Sequence, residues 1–312
     1  MKPDLLLIGP LMPDTMAQLD AAYVVHRYDL AADKPALLAA LAPKLRAIAT
    51  RGDYALPRDL MARLPKVKVI ASSGTGYDGI DVDAARELGI AVTNSPGPAS
   101  ECVADAAFAL ILATMRRTLV LDRFVRSGRW LEGPPPFADK VWGERIGIVG
   151  LGRIGKAIAR RAEAFRMEIA YHGRNRQPGV AYRYCESLSE MARDVRILVC
   201  AVPGRDATRG LVDREVIDAL GPDGYFINVA RGSTVDEPYL VDALVNRRLA
   251  GAGLDVFADE PRVPPALLAL DNVVLLPHCG SGTLATRNAM SQMVVDNLAA
   301  FFAGRPLISP VP

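Results

Sequence analysis

Apolar residues along this chain come in short runs, alternating with stretches where they recur every three or four positions. In the first hundred residues the runs "DLLLIG", "YVVHRY", "LRAIAT", "VKVIAS" and "IAVTNS" predict five strands. The segments between them, "DTMAQLDA", "KPALLAALA", "PRDLMARL" and "DVDAARELG", have helical spacing. Strands separated by helices imply a parallel sheet flanked by helices, a small α/β domain. "NSPGPAS" breaks the pattern, and one long helix is expected from about Ser100 to Val125. A Pro/Gly-rich excursion with two tryptophans follows, "SGRWLEGPPPFADKVWG". A second α/β series then begins at Arg145, with "RIGIVG", "MEIAYH", "RILVCAV", "GYFINVA", "GAGLDVF" and "NVVLLPH" as strands and a last helix from about Leu284 to Ala303. Two α/β parallel-sheet domains, with the active-site cleft between them, are the expected fold.

The 312 residues suffice for two cores, and the 50% hydrophobic and 23% charged composition is that of a soluble globular protein. A formal charge of +2, with acids and bases interspersed, gives no electrostatic reason to expect nucleic acid or a membrane surface as partner. The N-terminal apolar run is too short for a signal peptide, and "CVADAAFALILATM" carries Asp105 and falls short of the ~20 residues of a span. Four cysteines without metal-ligand spacing read as free buried thiols in a reducing compartment. A cytoplasmic protein without a metal site is expected.

"GLGRIG" places GxGxxG at Gly150, Gly152 and Gly155, after one strand and at the start of a helix. There the first glycine permits the turn, the second admits a pyrophosphate and the third allows close helix packing, while helix N-terminal amides face the phosphates. The intervening Leu151, Arg153 and Ile154 belong to the same cofactor loop. An acid for the ribose 2′-hydroxyl should follow ~20 residues on, at the tip of the next strand. That tip instead reads His172-Gly173-Arg174-Asn175-Arg176. Without a carboxylate to repel it, a 2′-phosphate can be held by the two guanidiniums. The preferred cofactor is therefore expected to be NADPH, with NADH used more weakly.

Three later segments end strands at one edge of the second domain: "NVARG" with Arg231, "GLDVFADEP" with Asp255 and Glu260, and "PHCGSGT" with His278. Ligands bind outside the carboxyl ends of such strands. An arginine, a glutamate and a histidine there could supply a carboxylate clamp, an orienting acid and a proton donor. Each alone also fits a surface turn, an ion pair or a packed strand end.

In their order and spacing, "GLGRIG", "NVARG", "GLDVFADEP" and "PHCGSGT" resemble the D-2-hydroxyacid dehydrogenase family. "SSGTGYDGID" and "TNSPGPASECVADAAFALIL" extend the likeness over almost the whole chain. The basic strand tip and the C-terminal segment look most like NADPH-dependent glyoxylate/hydroxypyruvate reductases and the similar hydroxyphenylpyruvate reductases. The resemblance implies a flavodoxin-like substrate domain, residues 1–98 plus 285–312, and a dinucleotide-binding Rossmann domain, 99–284. It implies that Arg231 holds the substrate carboxylate and that His278 protonates the carbonyl oxygen as hydride arrives. Glu260 would bond the other ring nitrogen, favouring the protonated imidazole and orienting it. Val202, Pro203, Val229, Ala230 and Asp255 would line the cofactor groove. Gly74, Thr75 and Gly76 would meet the substrate, with the Thr75 and Gly76 amides on its carboxylate.

Thr75 stands where the family commonly has valine, and Asp105 where it has glutamate. Cys279, beside His278, reads as a packed thiol. Arg51, after the third strand, is a candidate second anionic contact that would favour glyoxylate and hydroxypyruvate over apolar 2-oxo acids. The resemblance also implies a homodimer in which the crossover helix and the arm from Trp130 to Trp142 embrace the partner. A hydroxyphenylpyruvate-type reductase and a nucleotide-sensing, corepressor-like binding protein are the alternatives.

Overall fold

In the computed structural model, which describes residues 1–312, the first apolar runs form strands β1 (Asp4–Leu7), β2 (Val24–Arg27), β3 (Ala47–Arg51), β4 (Val69–Ser73) and β5 (Ala91–Thr93). Between them lie α1 (Pro13–Ala22), α2 (Lys34–Leu41), α3 (Arg58–Ala62) and α4 (Val82–Glu87). Aspartates start two of these helices: Asp33 accepts the Ala36 N–H and Asp81 the Ala84 N–H, each at 2.9 Å. The sheet is wholly parallel in the order β2-β1-β3-β4-β5. Alternation along the strands splits its core in two. Leu6, Ile48 and Ile70 face one side, while Leu5, Leu7, Ala47 and Val69 face the other. This second face packs on Val294 and Leu298 of the C-terminal helix, Leu284–Phe302.

The remainder contains α5 (Ala99–Met115), α6 (Thr118–Arg126), β6 (Arg145–Val149), α7 (Arg153–Ala164), β7 (Glu168–His172) and β8 (Arg183–Cys185). There follow α8 (Leu188–Asp194), β9 (Ile197–Cys200), α9 (Arg214–Leu220), β10 (Tyr225–Asn228), α10 (Glu237–Val245), β11 (Gly251–Leu254), α11 (Pro265–Leu268) and β12 (Val273–Leu275). The seven strands are parallel in the order β12-β11-β10-β9-β6-β7-β8. The order reverses at β6, so the open crevice of this doubly wound sheet lies where β6 meets β9. The chain thus forms two units: Met1–Ala99 with Thr283–Pro312, and Ser100–Gly282. The C-terminal helix is α12.

Three features differ from the sequence reading. The single long helix is two helices, because Arg117 takes the left-handed conformation at φ 50° and its guanidinium reaches Asp271 at 3.1 Å. Buried positions end with Met115, and α6 buries none of its residues. Its apolar spacing nonetheless runs on without a signal of the break. The second sheet has a seventh strand, β8, a three-residue edge with only Cys185 fully buried. Cys279 is exposed rather than packed.

Candidate active site

The cofactor loop follows from close packing. Gly150 sits at φ 93°, and a Cβ there would come within 2.7 Å of Val202 at the end of the neighbouring strand. A Cβ on Gly155 would lie 2.1 Å from the Gly150 carbonyl oxygen, so α7 can approach β6 only with glycine at that position. Gly152 differs: a Cβ there would meet no atom within 4 Å. It caps α7 without a side-chain hydrogen bond, leaving the first-turn amides facing that open side. A cradle that a side chain would fill, lined by free amides at a helix N-terminus, fits a pyrophosphate. Arg153 is exposed and Ile154 half-buried. Leu151 is buried, and its carbonyl accepts the Gln177 side-chain amide at 2.8 Å, so only its backbone lies at the loop.

At the tip of β7, Arg174, Asn175 and Arg176 are exposed, and neither arginine has an ion-pair partner. His172 Nδ1 donates to the Cys185 carbonyl at 3.1 Å, which ties this tip to β8 and leaves Nε2 as the other ring nitrogen. Across the crevice, Val202 is half-buried and Pro203 exposed after β9, whereas Val229 and Ala230 are buried after β10.

Arg231, Glu260 and His278 are gathered at the carboxyl ends of β10, β11 and β12. Asn228 holds the Arg231 turn from within the core: its Nδ2 donates to the Arg231 carbonyl at 3.0 Å, and its Oδ1 accepts the Ala230 N–H at 3.0 Å. The Thr234 hydroxyl also donates to that carbonyl, at 2.6 Å. Gly232 lets the next loop close over the turn, since a Cβ there would lie 1.9 Å from the Phe257 carbonyl carbon. That loop is fixed by Glu237, which accepts the Ala258 N–H at 2.9 Å. Burial, with the charges of Asp259 and Glu260, holds the Glu237 carboxyl above its ordinary range against that bond.

Glu260 Oε1 accepts the Phe257 N–H at 3.0 Å, and Oε2 accepts from His278 Nδ1 at 2.7 Å. Burial alone would raise the Glu260 carboxyl. The bonds from His278 and Phe257, with the charges of His278 and Arg231, outweigh it and leave the carboxyl below its ordinary range. An ionised acceptor on Nδ1 fixes the imidazole's orientation and turns Nε2 outward as the nitrogen that can give up a proton.

His278 itself lies at φ 51°, a conformation uncommon for residues other than glycine. Asp255 holds it there. Its carbonyl accepts the His278 N–H at 2.8 Å, and its buried carboxylate accepts the Cys279 N–H at 2.7 Å and the Gly280 N–H at 2.9 Å. Both oxygens of this expected cofactor-groove residue are thus bonded to the loop that carries the histidine. Asn228, Gly232, Thr234, Glu237 and Asp255 support the site. Of these the sequence singled out only Asp255, and for another role; the short "NVARGST" spacing was the available signal for three of the others.

In the first unit, Gly74 follows β4 at φ 144°. The Thr75 carbonyl accepts the Asn94 side-chain amide at 2.8 Å, and the Gly74 carbonyl accepts the Ser95 N–H at 2.8 Å. This pins the carbonyls of the turn and leaves the Thr75 and Gly76 amides without an intramolecular acceptor. Arg51 is bound to Asp53 through two bonds, 3.1 Å and 2.5 Å, and lies over the Tyr54 ring. Asp105, with Glu101, accepts from Arg161 and ties α5 to α7.

A doubly wound sheet with a glycine-rich phosphate cradle and a His–Glu–Arg cluster at its strand ends defines a dinucleotide-dependent oxidoreductase. The model of the D-isomer specific 2-hydroxyacid dehydrogenase family, NAD binding domain, matches residues 108–280. A hydroxyphenylpyruvate reductase of Plectranthus scutellarioides is 45% identical over 306 residues, covering 98% of each chain. A glyoxylate/hydroxypyruvate reductase of Arabidopsis thaliana is 44% identical over 306 residues, also covering 98% of each. The crystal structure of an NADPH-dependent glyoxylate/hydroxypyruvate reductase from Sinorhizobium meliloti, in complex with NADP and malonate, matches at a TM-score of 0.92 and 43% identity, covering 100% of this chain and 97% of that one. The chain belongs to the D-isomer specific 2-hydroxyacid dehydrogenase family and is an oxidoreductase with a nicotinamide cofactor. No helix is long and apolar enough to cross a membrane, and no cluster of His, Cys, Asp or Glu could hold a metal ion.

Proposed function

We propose that this protein reduces small 2-oxo acids, glyoxylate and hydroxypyruvate among them, to 2-hydroxy acids with NADPH. The observation that carries the reading is the His278–Glu260 pair at 2.7 Å, close enough to Arg231 for its charge to act on the same carboxylate. The bound dinucleotide supplies the hydride. Arg231 binds the substrate carboxylate and draws electron density from the 2-oxo group. His278 Nε2 gives its proton to the carbonyl oxygen, with Nδ1 bonded to Glu260 throughout.

The NADPH preference is supported by Arg174 and Arg176, two unpaired cations at a strand tip without an acid, and by the NADP-bound relative. A homodimer is supported by the arm after α6, where Trp130, Leu131, Phe137 and Trp142 are all exposed, next to a helix that buries nothing. A cytoplasmic site is in keeping with four cysteines in no disulfide.

Replacing His278 with alanine tests the reading. Cofactor binding should persist while kcat falls at least ~10²-fold, the usual contribution of a positioned proton donor. Near-normal turnover would place the proton source elsewhere. Cofactor binding without turnover of any 2-oxo acid by the unmodified protein would favour the nucleotide-sensing alternative. The hydroxyphenylpyruvate-type alternative is favoured by one observation of its own: an apolar cavity against His278.

A further inference from the structure

Gln177 joins the two cofactor loops of the second unit. Its side-chain amide donates to the Leu151 carbonyl of the glycine-rich loop at 2.8 Å, and its backbone N–H donates to the Tyr171 hydroxyl, also at 2.8 Å. Tyr171 is buried in β7, so this second bond closes the turn after His172 back onto the strand it leaves. At the start of the same turn the Tyr184 hydroxyl of β8 donates to the Gly173 carbonyl at 3.2 Å. The rings of Tyr171 and Tyr184 pack together with their centroids 5.3 Å apart. Arg174, Asn175 and Arg176 are thus the exposed crest of a turn held at both ends. We propose that Gln177 is a positioning residue for cofactor selectivity, setting this crest at the distance from the phosphate cradle where a ribose 2′-phosphate is gripped. The proposal rests on the reading of Arg174 and Arg176 as the 2′-phosphate site.

In NADPH the pyrophosphate and the 2′-phosphate are joined through one ribose. Both can be bound together only if the cradle and the arginine turn are held at a matching separation. Arginines on an exposed turn lose freedom when they grip an anion, and a turn already fixed in place lowers that cost. The Gln177 amide supplies the tie as a neutral donor, without a carboxylate that would repel the phosphate. Its removal falls on the turn rather than on the cradle, which has restraints of its own. The Gly150 N–H bonds the His172 carbonyl at 2.9 Å, Gly155 packs directly on Gly150, and Leu151 is buried. NADH needs the cradle alone, whereas NADPH needs the cradle and the crest. Loss of the tie therefore weakens one cofactor and spares the other.

Gln177→Met keeps the length of the side chain and removes its donor. The test titrates the full-length protein with NADP⁺ and with NAD⁺ by calorimetry and records a thermal melt without cofactor. The Kd for NADP⁺ is expected to rise about three- to tenfold, the equivalent of one net hydrogen bond, with that for NAD⁺ changed no more than about twofold. In a protein carrying Arg174→Ala and Arg176→Ala, adding Gln177→Met should leave the Kd for NADP⁺ within about twofold, because a residue that acts through the arginines then has nothing to position. Tyr171→Phe removes the other bond of Gln177 and should move the ratio of the two Kd values in the same direction. An unchanged ratio in Gln177→Met, or in Tyr171→Phe where only that protein folds, overturns the positioning role and leaves the NADPH reading in place. So does an equal weakening of both cofactors with a lowered Tm, or an undiminished effect of Gln177→Met without the arginines. Equal Kd values for NADP⁺ and NAD⁺ in the unmodified protein overturn both readings together.

Discussion

Asp255→Asn separates two roles for a residue to which the family resemblance gave one and whose contacts indicate another. Asp255 is 2% exposed, and both its oxygens accept backbone N–H groups from the loop carrying His278. That loop includes a non-glycine residue at φ 51°, a conformation that costs on the order of 1–3 kcal/mol and persists only where its surroundings enforce it. An asparagine keeps one acceptor and turns an NH₂ group towards the other backbone donor. The charge-assisted bond lost is worth about 1.5–3 kcal/mol, comparable to the strain it restrains. If that energy serves to position the imidazole, kcat should fall roughly 10–100-fold, at 1.4 kcal/mol per factor of ten. The same loss should lower the Tm by about 3–12 °C, since a unit of this size shifts roughly 2–4 °C per kcal/mol. The KM for NADPH should stay within about threefold, because both Asp255 oxygens bond the loop and the side chain is almost wholly buried. Steady-state kinetics with both substrates varied, together with a thermal melt, read all three quantities. A normal kcat and Tm with a raised KM for NADPH would refute the positioning argument and return Asp255 to the cofactor groove.

Arg174→Ala should lower the preference for NADPH over NADH roughly tenfold to hundredfold, mainly through the KM for NADPH, since one charged contact to phosphate is worth about 1.5–3 kcal/mol; equal use of both cofactors by the unmodified protein would refute this. Glu260→Gln should lower kcat and, at neutral pH, stability. Because the Glu260 carboxyl lies below its ordinary range in the folded protein, its contribution is present above the unfolded value of about 4.3 and fades as pH falls through the lower folded value, so the difference in Tm from the unmodified protein should shrink below about pH 4. A difference constant across that range would mean that Glu260 carries no charge-dependent role. Sedimentation at micromolar concentration should give twice the monomer mass, and replacing exposed Phe137 and Leu131 together with serine should weaken that association.

The parts of the molecule read most fully from sequence are those where backbone geometry dictates residue type. Gly150 and Gly155 are forced by contacts of 2.7 Å and 2.1 Å, and strands buried on both faces show as unbroken apolar runs. Arg231, Glu260 and His278 stood out because charged residues just after apolar strands have few structural reasons to recur at one sheet edge. The break at Arg117 was hidden because α6 keeps helical spacing while burying nothing. The edge strand β8 was hidden because three residues with one buried side chain carry almost no periodic signal. The supports of the site were hidden for another reason. Asn228, Thr234 and Glu237 act on backbone amides and carbonyls, and a polar residue near a strand end looks the same whether it faces solvent or a buried carbonyl.

Substrate choice shows where that limit has consequences. Read alone, Arg51 is a spare cation at the end of β3, and a spare cation argues for small polar acids. Asp53, two residues on, takes its guanidinium through two bonds, and the charge available to a substrate is largely cancelled. Val263, Leu268 and Leu275 line an apolar cavity beside His278, yet a leucine that walls a cavity and one that fills a core have identical side chains. Catalysis uses charged and polar groups whose chemistry is written in their residue type. The shape left between apolar groups is not written in residue type, since it exists only once the loop after β11 has closed against β12.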